Sequence, residues 1–212
     1  MALAKYIDHT LLKATATPEN IKLLCKEAVQ NNFFAVCVNG CYVRLAKESV
    51  QDSLVNVAAV IGFPLGAMPT EAKVLETQSC IANGADEIDM VINVGMLQSG
   101  NHQYVEEEIN QIKKATGDKV LKVIIETCYL STEEKKTACQ LAMNAGADFV
   151  KTSTGFGTGG ATLEDVKLMK SVVGDHLKIK ASGGIKDKKT ALEYIEIGVS
   201  RIGTSSGIEI VS

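Results

Sequence analysis

Eight short apolar runs, most of them parted from the next by an amphipathic segment, leave this chain few ways to fold. In order they read YIDHT, FAVCVN, VAAVIGF, DEIDMVIN, KVIIET, DFVKTS, KIKASGG and RIGTSSG. Each has the length and composition of a strand covered on both faces, which is how strands of a parallel sheet read. The intervening segments open on helix-start signals: Thr17-Pro18, Pro69-Thr70, Ser131 with Glu134 in capping-box spacing, Thr162 and Asp187. Apolar stripes follow, through Ile21, Leu24, Cys25 and Ala28, through Val105, Ile109 and Ile112, and through Ala138, Leu141 and Ala142. Strands alternating with helices argue for an α/β fold with a parallel sheet. Eight such units in 212 residues predict a single-domain (β/α)8 TIM barrel over residues 1–212 rather than an open sheet.

A weak repeat orients the barrel interior. Gly84, Gly146 and Gly198 end helices ahead of the fourth, sixth and eighth runs, and five residues on from them stand Asp89, Lys151 and Gly203. Five on from Asn32, before the second run, stands Cys37. Alternate strands of such a barrel share interior layers, so these four residues are expected at one level, with Lys151 beside Asp89. Successive strand residues face opposite ways, and the intervening Val36, Val38, Ile88, Met90, Val150 and Ile202 are all apolar, as helix-facing positions should be. One layer deeper come Ala35, Glu87, Phe149 and Arg201. Glu87 and Arg201 are expected to pair there, and removing either should destabilise by ~3 to 5 kcal/mol, because the other would be left buried and charged.

A lysine inside an apolar strand needs a reason. Lys151 is one, and Lys180 in the seventh run is a second. A buried lysine near another cation loses proton affinity, and its free amine can attack a carbonyl to form a Schiff base. Asp89 would shuttle protons to and from the adduct. The plainer alternative is two strand-end lysines snorkelling to solvent; convergence of both with an aspartate at one barrel mouth favours chemistry. Gly183 and Gly184 in ASGGIK, and Ser205 and Ser206 in GTSSG, follow the seventh and eighth runs, where barrel enzymes often hold phosphate. Thr154, Cys37 and Asp8 join them as substrate-binding candidates. His9 reads as structural, and Asn39, Asn93 and Glu126 as groups near strand ends that could orient the pocket.

A net charge of −3, without a basic block, argues against nucleic acid or an anionic membrane as partner. The N-terminal MALAKYIDHT has neither the pattern of a secretory leader nor a spanning segment, so a cytoplasmic protein is expected. The six cysteines are scattered and read as reduced thiols, while Cys37-x3-Cys41 lacks the second pair of a zinc site, so neither metal nor other cofactor is expected.

The segments YIDHTLLK, CVN, IGFPLG, DEIDMVIN, KVIIET, DFVKTSTGF, KASGGI and RIGTSSG together resemble the motifs of the deoxyribose-phosphate aldolases, in order and up to residue 207. That resemblance implies reversible, metal-free cleavage of 2-deoxy-D-ribose 5-phosphate to glyceraldehyde 3-phosphate and acetaldehyde, in deoxynucleoside catabolism. It implies Lys151 as the Schiff-base lysine, Lys180 as the lysine that tunes it and Asp89 as the proton-transfer group. Gly183, Gly184, Ser205 and Ser206 match phosphate-binding positions. Gly40 stands where that family usually has proline, which should loosen a loop, and the chain ends at Ser212 without the tyrosine-bearing tail of longer members. Barrels of this kind are often dimers, so a homodimer is a possible assembly. The alternatives are a transaldolase-like barrel acting on a longer sugar and a catalytically silent sugar-phosphate sensor.

Overall fold

A computed structural model describes residues 3–212; Met1 and Ala2, which begin the stretch read for a leader, lie outside the described residues. Eight parallel strands follow the expected runs: β1 Ile7–Leu11, β2 Ala35–Asn39, β3 Asn56–Ile61, β4 Glu87–Val91, β5 Val120–Ile124, β6 Phe149–Lys151, β7 Lys178–Ser182 and β8 Arg201–Thr204. Each pairs with the next in sequence, and β1 also pairs with β8, which closes the barrel. Helices α1 Pro18–Gln30, α2 Val43–Val50, α3 Thr70–Ala82, α4 Val94–Gln98, α5 His102–Thr116, α6 Thr132–Asn144, α7 Leu163–Val173, α8 Lys188–Glu196 and α9 Gly207–Val211 fill the connections. The chain is therefore a (β/α)8 barrel. Among the described residues no helix is long and apolar enough to cross a membrane.

The helices begin where the sequence marks them. Thr17 and Asn20 close a reciprocal capping box on α1, as Ser131 and Glu134 do on α6. Thr162 and Asp187 accept the Asp165 and Thr190 N–H groups at the starts of α7 and α8. Each such cap contributes about 1 kcal/mol. Pro69 precedes α3 with no side-chain cap. Gly40 opens a hydrogen-bonded turn, Gly40–Tyr42.

Val36, Val38, Ile88, Met90, Val150 and Ile202 are all buried in the layer between strands and helices, against Ile21, Val105, Ile109, Ala138 and Val166 among others. Burying one large aliphatic side chain contributes about 1.5 to 3 kcal/mol, so this outer annulus carries the fold. The barrel interior is thereby left to other residues. A small apolar cluster there, Leu12, Cys37, Ala58 and Val60 with Phe63 against it, occupies the β1–β3 side.

Two loops at the C-terminal mouth are locked backbone to backbone. Gly160, in the segment joining β6 to α7, lies so close to the turn after β7 that a Cβ on it would fall 2.3 Å from the Gly183 carbonyl oxygen. A Cβ on Gly183 would in turn fall 2.8 Å from Gly160 Cα. The Ala161 N–H donates to the carbonyls of Ser182 and Gly183 at 3.0 and 3.1 Å, which ties the two loops at that point.

Candidate active site

Lys151 ends β6, in register with Lys180 on β7 and with Ile124 on β5. Asp89 on β4 lies in register with Lys122 on β5. All four of these polar side chains point inward, because their sequence neighbours supply the helix-facing core. Lys151 Nζ donates to Asp89 Oδ2 at 2.7 Å, and Lys180 Nζ donates to the same oxygen at 2.8 Å. Lys122 Nζ takes the other oxygen, Oδ1, at 2.8 Å and also meets Glu87 at 2.5 Å. The expected proximity of Lys151, Lys180 and Asp89 is thus present, and Cys37 lies buried on the neighbouring side of the same interior.

Below them Arg201 bonds Glu87 at 2.7 and 3.3 Å and Asp8 at 2.6 Å, and its guanidinium stacks 3.2 Å over the Phe34 ring. The expected Glu87–Arg201 pair exists, but as part of a larger network. Asp8 also accepts from Lys180. Four cations, Lys122, Lys151, Lys180 and Arg201, therefore share the interior with three carboxylates, Asp8, Glu87 and Asp89. With all seven ionised, every cation touches a carboxylate, yet the group carries one net positive charge. Loss of one proton from a lysine would even the count.

Burial opposes the charge on Asp89, but Lys122, Lys151 and Lys180 outweigh it and hold the carboxyl well below the usual carboxylate range. Burial likewise disfavours the Lys180 ammonium, yet Asp8 and Asp89 more than offset it and keep that amine protonated far above the usual lysine range. Lys122 is raised in the same way: burial opposes its charge, and Asp89 and Glu87 prevail. Burial also opposes the charge on Asp8, but Lys180 and Arg201, with Lys122, outweigh it and push that carboxyl down. Burial pushes the Cys37 thiol up, which keeps it in the unreactive thiol form.

Lys151 alone of the three lysines lines an open cavity, of about 400 Å³. That cavity spreads over the ends of β6, β7, β8 and β1, with Thr154, Gly183, Gly184 and Ser205 in its wall. Gly183 and Gly184 have φ of 88° and 86°, a backbone form that side-chain-bearing residues rarely adopt; the bare side of Gly183 admits Gly160, while that of Gly184 faces open space. Ser206 does not line the cavity, and its N–H is engaged by Thr204 Oγ1 at 2.9 Å. Asp8 and Cys37 are wholly enclosed beneath the cavity instead of forming its wall. Thr154 donates to the Glu126 carboxylate from its hydroxyl and, at 3.2 Å, from its N–H, so Glu126 anchors the loop after β6. Asn39 reaches the Leu12 carbonyl, Asn93 caps α4, and His9 pairs with Glu27 away from the cavity.

Three cations escaped the sequence reading. Lys122 is fully buried at the heart of the network. A signal for it existed, since Lys122 stands five residues after the helix-ending Gly117, the offset that located Asp89 and Lys151. Lys13 and Lys186 stand on the cavity rim, beside the glycine and serine loops. Lys13 ends the quoted YIDHTLLK run and Lys186 follows Ile185, and nothing in their local sequence parts them from ordinary solvated lysines.

A model of the DeoC/LacD family aldolases matches residues 2–211. The chain is 58% identical over 211 residues to the deoxyribose-phosphate aldolase of Finegoldia magna, covering 100% of this chain and 99% of that protein. It is also 58% identical to the enzyme of the same name from Thermococcus gammatolerans, over 100% of this chain and 96% of that one. Among solved structures, one described as "QR15, an Aldolase" superposes with a TM-score of 0.96 at 44% identity, covering 99% and 94% of the two chains. The tetrameric deoxyribose phosphate aldolase of Aeropyrum pernix gives a TM-score of 0.90 at 32% identity, covering 99% and 89%.

Proposed function

Because this chain belongs to the DeoC/LacD aldolase family, we propose that it cleaves 2-deoxy-D-ribose 5-phosphate reversibly to glyceraldehyde 3-phosphate and acetaldehyde through a Schiff base on Lys151. One observation carries the reading: Lys151 faces the cavity while sharing a single carboxylate oxygen, Asp89 Oδ2, with Lys180, whose ammonium Asp8 and Asp89 favour. Lys180 competes for that oxygen and weakens its hold on the Lys151 ammonium. The surplus positive charge of the network acts in the same direction.

The free amine adds to C1 of the open-chain sugar, and loss of water gives the imine. The iminium withdraws electrons from C2, so that removal of the C3 hydroxyl proton breaks the C2–C3 bond and releases glyceraldehyde 3-phosphate. The remaining enamine takes a proton at C2, and water then frees acetaldehyde and Lys151. Asp89 is a weak base while three ammonium groups surround it. The iminium keeps the Lys151 charge, but the carbinolamine and the enamine do not, and in those neutral states Asp89 is the stronger base and better placed to carry protons. The substrate phosphate would lie against Gly183, Gly184 and Ser205, with Lys13 and Lys186 supplying charge. The same reading assigns the protein to deoxynucleoside catabolism in the cytoplasm.

Borohydride trapping with acetaldehyde tests it. A stable adduct should form and map to Lys151. With Lys180→Leu, Asp89 Oδ2 belongs to Lys151 alone, so trapping should slow by about tenfold or more at neutral pH. The gap should narrow toward pH ~10.4, where a lysine loses its proton unaided. Trapping at the unmodified rate at neutral pH would rule out Lys180 as the tuning charge. Absence of any adduct on the unmodified protein would rule out the Schiff base itself.

A further inference from the structure

A second, smaller cavity of about 100 Å³ opens beside the first, among the segments that follow β3, β4 and β5, whereas the glycine and serine loops follow β7 and β8. Pro64, Leu65, Val91, Val94 and Tyr129 give it an apolar wall, and Glu126, the one acidic residue in its lining, has its carboxylate engaged by Thr154. Thr154 and Phe156 line both cavities and so form the wall between them. The two halves of that wall differ in freedom. Thr154 is fastened to Glu126 through both its N–H and its hydroxyl. The backbone of Phe156 is also fixed, by its N–H donating to Thr154 Oγ1 at 3.0 Å, but its side chain is 53% exposed and is held edge-on against Phe63, with ring centroids 5.2 Å apart. Such an aromatic pair is worth only about 0.5 to 1.5 kcal/mol beyond its buried area. The ring is the removable part of the wall.

In the reaction proposed above, on which this inference rests, the acceptor carbons extend from the nucleophile toward the phosphate loops. Of the two positions left for a substituent on the donor's α-carbon, one points away from those loops, toward the wall that Phe156 forms. Acetaldehyde has no such substituent. A longer straight-chain aldehyde carries an alkyl group that meets the ring. We propose that the Phe156 ring sets donor size: in place, it closes the small apolar cavity to the imine and confines the donor to two carbons, and without it that cavity receives the alkyl group of a longer aldehyde.

The experiment compares kcat/KM for addition to glyceraldehyde 3-phosphate with acetaldehyde or propanal as donor, in the unmodified protein, Phe156→Ala and Phe156→Trp. One methylene in an apolar pocket is worth roughly 10- to 200-fold in discrimination, so the propanal-to-acetaldehyde ratio should rise by at least about tenfold in Phe156→Ala. It should fall in Phe156→Trp. The ratio, unlike either rate alone, does not respond to a general loss of stability or activity. A ratio that stays put in both variants, or shifts the same way in both, overturns the proposal. Turnover of acetaldehyde by the unmodified protein separates the two levels: an unmoved ratio with turnover defeats only the role of Phe156, whereas no turnover defeats the aldolase reading as well.

Discussion

Lys151→Leu is expected to abolish the trapped acetaldehyde adduct at every pH and to slow cleavage of 2-deoxyribose 5-phosphate by ~10,000-fold or more, as loss of a covalent nucleophile does. No neighbouring amine replaces it, since Lys180 is enclosed and held protonated by Asp8 and Asp89, and Lys122 is engaged by Asp89 and Glu87. The same change should leave the fold intact. It removes the net positive charge of the group, so that three cations face three carboxylates, and leucine keeps much of the apolar stem. Peptide mapping after borohydride and a coupled assay for glyceraldehyde 3-phosphate read the first effect, and thermal unfolding reads the second. A variant that still traps acetaldehyde at the original rate would move the nucleophile to another residue.

Asp89→Asn should do the reverse, harming stability as severely as activity. Its carboxylate meets three buried ammonium groups at 2.7 to 2.8 Å, and an amide in its place leaves them to repel one another. Breaking a buried ionic network in this way costs about 3 to 5 kcal/mol, and the number of partners puts Asp89 toward the upper end. Urea unfolding should show a lower midpoint at unchanged slope. The carboxyl is held below its unfolded value, so its stabilisation is present above the unfolded pKa of ~3.9 and is lost as pH falls from there through the lower folded value; the gap between the two proteins closes only in strong acid and stays open at neutral pH. Adding Lys151→Leu to Asp89→Asn should recover part of the loss, because the two residues are in contact and one unpaired cation is removed. Additive effects would mean that the network does not act as a unit.

The outer annulus was readable because burial on both faces writes parallel strands as apolar runs, and because Thr17, Ser131, Thr162 and Asp187 announce helices by their own hydrogen-bonding chemistry. The interior was readable only where a count could be anchored. Offsets from Gly84 and Gly146 found Asp89 and Lys151, and parity found Glu87 with Arg201. Lys122 was missed because the count followed even-numbered strands, while the odd strands interleave their own side chains among them. Asp8 shows the same gap: its sequence suggests a substrate-binding residue, yet its place between Lys180 and Arg201 depends on two strands far away in sequence. Lys13 and Lys186 acquire meaning only from the loops that fold beside them. The Phe63–Phe156 contact spans two loops and leaves no local pattern at all.

The backbone contact between Gly160 and Gly183 has a consequence for anyone mapping this protein by saturation mutagenesis. Neither position can accept even alanine without prising apart the loop that follows the nucleophile and the turn proposed to receive the phosphate. Both would appear as invariant columns in a screen scored on turnover, ranked beside Lys151. At Gly160 the sensitivity would report only the thickness of a side chain, since that residue contributes no reacting group. Of the three columns, Lys151 alone should pass a parallel screen for folded protein, and that difference would tell chemistry from fit.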